Sequence, residues 1–223
     1  MTLPRTLEPE VMESPEDARD YDEMDHSHVN RVFVDDLFAT GADLSTNMIL
    51  DLGTGTALIP IELCRRHEDC RVMASDLSIN MLELARYHLE AAGLIHRIQL
   101  DHVDSKQLHY NDGVFGVVMS NSIVHHIPEP LTVLREAVRV LAPTGLIFFR
   151  DLLRPNTAAE VDHLVQTYAG NENTHSQKLF RDSLHAALTL DEIKSLVAEI
   201  GFDPTAISAT SDRHWTWIGR REE

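Results

Sequence analysis

The chain has 223 residues, 43% of them hydrophobic and 25% charged, with 19 basic against 36 acidic residues and a formal net charge of −17. That balance suits one soluble globular domain. It argues against a nucleic-acid partner, which so acidic a surface repels at long range, and no apolar run approaches the ~20 residues of a bilayer span.

The N-terminal stretch MTLPRTLEPEVMESPEDARD has neither the basic region nor the apolar core of a secretory signal. Residues 1–25 hold nine acids and two bases. With Pro4, Pro9 and Pro15 among them, residues 1–15 read as a flexible, solvated acidic leader ahead of a single domain over 16–223. Cys64 and Cys70 are the only cysteines and form no Cys-x-x-Cys pair. They read as free thiols in a reducing cytoplasm.

From residue 48 the pattern alternates between short apolar runs and helical spacing. MILDL (48–52) predicts a buried strand, and ALIPIELCRRH (57–67) a helix whose Pro60 falls near the first turn. RVMASD (71–76) is the next strand. SINMLELARYHLEAAG (78–93) is the next helix, capped by Ser78 and stopped by Gly93. RIQLDHVD (97–104) and VFGVVMSN (114–121) are further strands, PLTVLREAVRVLA (130–142) a helix and TGLIFFRDL (144–152) a strand. Such alternation implies an α/β, doubly wound, mostly parallel sheet with helices on both faces. Ligands of these sheets sit at the carboxyl ends of the strands.

Those ends carry polar landmarks. ILDLGTGTALIP (49–60) breaks from a strand into a glycine loop in which Leu58 replaces the third glycine of a dinucleotide fingerprint. Asp51 stands just ahead of the loop, where a carboxylate repels a pyrophosphate and attracts a ligand ammonium. Asp76 ends the second strand, placed to accept from ribose hydroxyls, and Asp104 ends the third, placed to accept from an adenine amine. Acidic strand ends favour a cationic adenosine compound.

The set LDLGTGTALIPIEL, ASDLSINMLELAR, Asp104-Ser105, FGVVMSNSIVHHIPEP and LREAVRVLAPTGLIFF resembles the class I S-adenosylmethionine-dependent methyltransferases. The resemblance implies a Rossmann-like seven-stranded sheet with S-adenosyl-L-methionine as cofactor and S-adenosyl-L-homocysteine as product. It implies that Gly53 and Gly55, with Asp51 and Thr54, line the methionine portion and that Asp76 binds the ribose. Leu77 and Met81 then lie against the adenine, Asp104 and Ser105 at its polar edge, and Asn121 near the sulfonium, with Ser122 as a further expected cofactor contact. Tyr21, in YDEMDH, matches a tyrosine that covers the cofactor. Taken singly, Leu77 and Met81 read equally well as packing residues.

His125 and His126 follow the fourth strand, and His125 is the expected general base. A loop role fixed by Pro128 and Pro130 explains both histidines as well. Residues 153–189 read as a helical lid insertion that sets substrate choice, built from NTAAEVDHLVQTYAG (156–170, capped by Asn156) and SQKLFRDSLHAAL (176–188). Arg150, Arg154 and Arg181 are the expected substrate contacts, with Tyr168, Asn171, His175 and His185 as further polar positions. Thr189 and Glu192 spell a capping box. RHWTWIG (213–219) reads as a strand whose Trp215 and Trp217 pack. His26 and His28 among Asp22, Glu23 and Asp25 form no closed ligand set, so no metal is expected. The expected acceptor is a small molecule, with no membrane or nucleic-acid partner and a monomer or homodimer as the working state. A protein acceptor, a non-catalytic adenosyl-ligand binder and a nicotinamide-dependent oxidoreductase are the alternatives.

Overall fold

The computed structural model describes residues 3–11 and 14–221. Its core is a sheet of seven strands: β1 (Ile49–Leu52), β2 (Val72–Asp76), β3 (Ile98–His102), β4 (Phe115–Asn121), β5 (Leu141–Leu152), β6 (Ile207–Ala209) and β7 (His214–Arg220). Their spatial order is β3-β2-β1-β4-β5-β7-β6. β7 runs antiparallel to β5, while β3, β2, β1, β4 and β5 are mutually parallel. The order reverses between β1 and β4. This switch point opens a crevice above their carboxyl ends.

Side-chain alternation along each strand feeds two cores. On one face Leu50, Leu52, Val118, Ile147 and Phe149 meet α5 (Pro130–Val140) and α8 (Leu190–Glu199) through Val133, Leu134, Ile193 and Val197. On the other, Ile49, Val72, Val117, Met119 and Phe148 meet α2 (Ser27–Ala39), α3 (Leu58–Arg66) and α4 (Ile79–Ala92) through Phe33, Leu37, Leu63 and Leu89. Trp215 and Trp217 are fully buried, as expected of packing residues. Among the described residues, no helix is long and apolar enough to cross a membrane.

The helix ends follow their local chemistry. Ser78 accepts from the Met81 amide, and Gly93 closes α4 at φ 70°. The Thr189–Glu192 capping box forms in full at the start of α8. α5 ends two residues before the expected 142 because β5 already begins at Leu141, and two helix starts also shift. α6 (Ala158–Ala169) is capped by Thr157 rather than Asn156, and α7 (Thr174–Ala186) starts two residues early because Asn173 caps it. α6 and α7 share a small core of Val161, Leu164, Val165 and Leu184 with Leu152 at the end of β5.

α1 (Pro15–Glu23) and α2 precede the sheet and cross toward its carboxyl edge. Of the expected leader, residues 1, 2, 12 and 13 lie outside the described residues. Residues 3–11 lie against the domain. The Arg5 guanidinium donates to the carbonyls of His125, Ile127 and Ala186, and the Thr6 amide to that of His185. Polar main-chain acceptors, invisible to composition, hold this segment in place.

Candidate active site

β1 gives way to three left-handed residues, Gly53 (φ 69°), Gly55 (φ 56°) and Ala57 (φ 60°), before α3 begins. A Cβ on Gly53 would stand 2.8 Å from Ile123 Cδ1, so close approach as well as φ demands glycine there. A Cβ on Gly55 would meet only Tyr21 Cε1, at 3.8 Å. The loop is tied to the next strand. The Gly55 amide donates to Asp76 Oδ2 at 2.8 Å and the Ser78 amide to Asp76 Oδ1 at 2.8 Å. Burial raises the Asp76 pKa above the usual carboxylate range, against the pull of these amides. The Leu77 amide also favours this carboxylate, which retains acceptor capacity for a ligand.

Above this edge lies a cavity of about 510 Å³, within the range of small-molecule and cofactor sites. Tyr21, Gly53, Gly55, Asp76, Leu77, Met81, Asp104, Ser105, Asn121, Ser122 and His125 all line it. Asp51 and Thr54 line a side chamber of about 30 Å³ that shares Tyr21, His26, Asn30, Gly53 and Asn121 with the main cavity. The twelve expected cofactor positions, scattered over a hundred residues, thus converge on one void and its annex.

The electrostatics are those of an acidic pocket. Asp51 is buried, and desolvation pushes its pKa up to about 7, with the Thr54 hydroxyl opposing and the Asp76 carboxylate adding to the rise. Burial, then Asp76, Asp22 and Asp51, push the Tyr21 hydroxyl up to about 12, which leaves it a neutral donor. The Tyr21 ring stacks on His26 at 4.5 Å. Asp104 is less free, since its carboxylate pairs with Lys106 at 2.9 Å. Asn121 Oδ1 is buried without a hydrogen-bond partner among the described residues. A buried acceptor left open at a cavity wall fits a ligand that donates to it. Ser122 beside it holds φ 62°, a strained value for serine at the point where the two halves of the sheet part.

His125 occupies a 3-10 turn after β4 and is buried. Its Nδ1 donates to Asp151 Oδ1 at 2.5 Å, and Asp151 also accepts from the amides of Val124 and Leu152. Burial alone lowers the His125 pKa, but the Asp151 and Glu8 carboxylates outweigh it and the net direction is up. His125 Nε2 faces Glu8 Oε1 at 3.4 Å. His126 is lowered to about 3 by burial and by the neighbouring His125. Both nitrogens of the expected base therefore already face carboxylates.

The three expected substrate arginines do not reach the cavity. Arg150 pairs with Asp36 at 2.5 Å and donates to Thr216, Arg154 pairs with Glu192 at 2.5 Å, and Arg181 pairs with Asp162 at 2.5 Å. Strand alternation places Arg150 and Asp151 on opposite faces of β5. Of the other polar positions on α6 and α7, Tyr168 lines the cavity, whereas His175 pairs with Asp17. Met24, Val29, Leu179 and Phe180 line it without having been expected. Their contribution depends on how α1, α2 and α7 fold over the sheet edge, for which spacing carries no signal.

Residues 50–149 match the methyltransferase domain family model. Over these residues the chain carries a methyltransferase domain, in line with the resemblance to class I S-adenosylmethionine-dependent methyltransferases. It is 28% identical over 181 residues to 27-O-demethylrifamycin SV methyltransferase of Amycolatopsis mediterranei, covering 78% of this chain and 62% of that protein. It is 32% identical over 167 residues to malonyl-[acyl-carrier protein] O-methyltransferase of Geobacter sulfurreducens, covering 74% of this chain and 58% of that protein. The chain thus spans about three-fifths of these two relatives. The fold matches the crystal structure of a methyltransferase from Aquifex aeolicus at a TM-score of 0.67 and 14% identity, over 93% of this chain and 98% of that one.

Proposed function

We propose that this methyltransferase domain transfers a methyl group to a small, largely apolar acceptor that carries no anionic group. The observation that supports the reading best is the acidic edge Asp51–Asp76–Asp104 around the open Asn121 acceptor. Asp76 is suited to the ribose hydroxyls, Asp51 to the ammonium of the methionine portion, and Gly53 and Gly55 to close backbone approach. Leu77 and Met81 suit the adenine faces, Asp104 and Ser105 its edge, and Tyr21 the cover. Bound S-adenosylmethionine supplies an electrophilic methyl group on a sulfonium. The chain's own part is to orient the acceptor and exclude water, and such positioning can supply about 7–11 kcal/mol of barrier lowering.

The acceptor class follows from the rest of the lining. Met24, Val29, Leu152, Leu179 and Phe180 are apolar, and Glu10, Asp25 and Glu172 are acidic. Arg213 also lines it, but it is engaged with Asp212 at 3.3 Å and with the Tyr168 ring. Among the described residues of this wall, an anionic acceptor would meet no lysine and no unengaged arginine. α6 and α7 act as the lid over the acceptor end. Cys64 and Cys70, both free and buried, suit a cytoplasmic enzyme.

Calorimetry with S-adenosylmethionine, S-adenosylhomocysteine and NAD tests the cofactor. Tight binding of the first two and weak binding of NAD is the expected ranking, and the reverse overturns the reading. Incubation with methyl-labelled cofactor and a fractionated metabolite extract tests the acceptor. Label is expected in neutral or cationic apolar fractions, whereas label only in anionic fractions or in protein overturns the acceptor class.

A further inference from the structure

We propose that Glu8, His125 and His126 form a binding site for one divalent transition metal of the zinc type, with an open position toward the acceptor end of the cavity. Three potential ligand atoms, one from each residue, lie within 4.8 Å of one another. Glu8 Oε1 stands 3.4 Å from His125 Nε2 and 3.2 Å from His126 Nδ1. Two ligand atoms on a tetrahedral zinc, each about 2.0–2.1 Å from the metal, are separated by about 3.3 Å.

These contacts are not a network of satisfied hydrogen bonds. Glu8 Oε1 and His126 Nδ1 are both buried without a hydrogen-bond partner among the described residues, and the Glu8 side chain is only 7% exposed. Unmet lone pairs this close, shielded from water, are costly unless a common partner sits between them. A cation is that partner.

The surroundings are those of a supported metal ligand. His125 donates its other ring nitrogen to the buried Asp151, the carboxylate–histidine arrangement that orients a metal-binding imidazole. The other oxygen of Glu8, Oε2, accepts from the Ser183 hydroxyl at 3.1 Å. Arg5, gripping the carbonyls of His125 and Ile127, fixes the segment that delivers Glu8. Two imidazoles and one carboxylate select zinc, cobalt, manganese or iron over magnesium and calcium, which prefer all-oxygen shells.

Three protein ligands leave a position for substrate or water. His125, His126 and Ser183 line the cavity, so that position opens on the space assigned above to the acceptor. An acceptor hydroxyl or thiol bound there becomes more acidic and releases its proton to cavity water. His125 then serves as a metal ligand rather than as the base. This role rests on the methyltransferase reading, whereas the metal site itself does not.

The test is metal binding by the full chain after chelator treatment and dialysis. Titration with zinc chloride is expected to show one equivalent bound, and cobalt chloride to give the visible spectrum of a low-symmetry four- or five-coordinate ion. Glu8→Gln and His126→Ala should each weaken zinc at least as much as loss of an outer-shell partner does, about 10–100-fold. His163→Ala, a change on the exposed face of α6, should leave it unaltered. Absence of stoichiometric zinc binding, or binding indifferent to both ligand substitutions, overturns the site. Should a ligand variant fail to fold by circular dichroism, the cobalt spectrum of the unaltered chain decides, because a fully hydrated octahedral spectrum overturns the site. Calorimetry with S-adenosylmethionine on the same samples separates the two claims. Cofactor without zinc binding removes the metal alone, and zinc without cofactor binding removes the methyltransferase reading alone.

Discussion

The Gly55 amide donates to Asp76 Oδ2 at 2.8 Å and thereby ties the glycine loop after β1 to the acid that ends β2. One carboxylate thus shapes the loop and stands in the cavity wall. Because Gly55 and Ser78 occupy one lone pair on each oxygen, Asp76 is already oriented before any ligand arrives. Asp76→Ala is expected to weaken S-adenosylmethionine by about 1–3 kcal/mol, roughly 5–150-fold, through loss of the ribose acceptor. Calorimetry reads this directly. Unchanged affinity in a folded variant removes Asp76 from ribose binding.

Asp51 is expected to make cofactor binding depend on pH. Its folded pKa of about 7 is raised, so the ligand-free protein loses stability as pH climbs from about 4, the unfolded value, through 7. A ligand ammonium reverses the preference, since it favours the ionised carboxylate. Affinity for S-adenosylmethionine should therefore rise by up to about tenfold per pH unit below 7 and level off above it. Proton release should accompany binding near pH 6, visible as a buffer-dependent calorimetric enthalpy. A flat profile in wild type, or the same slope in Asp51→Asn, removes the assignment.

The two loop glycines should respond differently to alanine. Both pay about 1–2 kcal/mol for a side chain in the left-handed region. Gly53→Ala adds a collision with Ile123, an overpacking cost of about 1–3 kcal/mol. Urea unfolding should thus rank Gly53→Ala as the more destabilised, with Gly55→Ala milder and its main effect on cofactor affinity. Equal stability losses would contradict the close approach seen at Gly53.

Arg150 is a structural residue by its contacts. Arg150→Met removes the pair with Asp36 and the bond to Thr216, and should cost stability by about 1.5–3 kcal/mol. Cofactor affinity and the apparent KM for acceptor should stay at wild-type values. A KM rise without a stability loss would return Arg150 to the substrate site.

Much was legible in the chain before its folding was known. The apolar runs marked β1 to β5 and β7 to within three residues, because buried parallel strands need continuous apolar sequence and their helices need 3.6-residue spacing. β6 escaped notice, since three residues carry no periodicity. The polar ends of β1, β2 and β4 were readable for the same reason. An acid or amide closing an apolar run has no packing role to explain it.

The arginines show where reading along the chain fails. Arg150, Arg154 and Arg181 stood in the right segments but point to Asp36, Glu192 and Asp162, partners 114, 38 and 19 positions away. Charge identity is local information, whereas the partner of a charge is set by packing. Sequence alone determined the sheet, the glycine loop and the acidic strand ends, because backbone propensity and burial act within a few residues. Only the tertiary structure decided that Asp151 faces His125, that Glu8 meets the two histidines, and that α1 and α2 reach the strand ends. Those contacts depend on which side chains the fold brings within a few ångströms, and no local spacing encodes that.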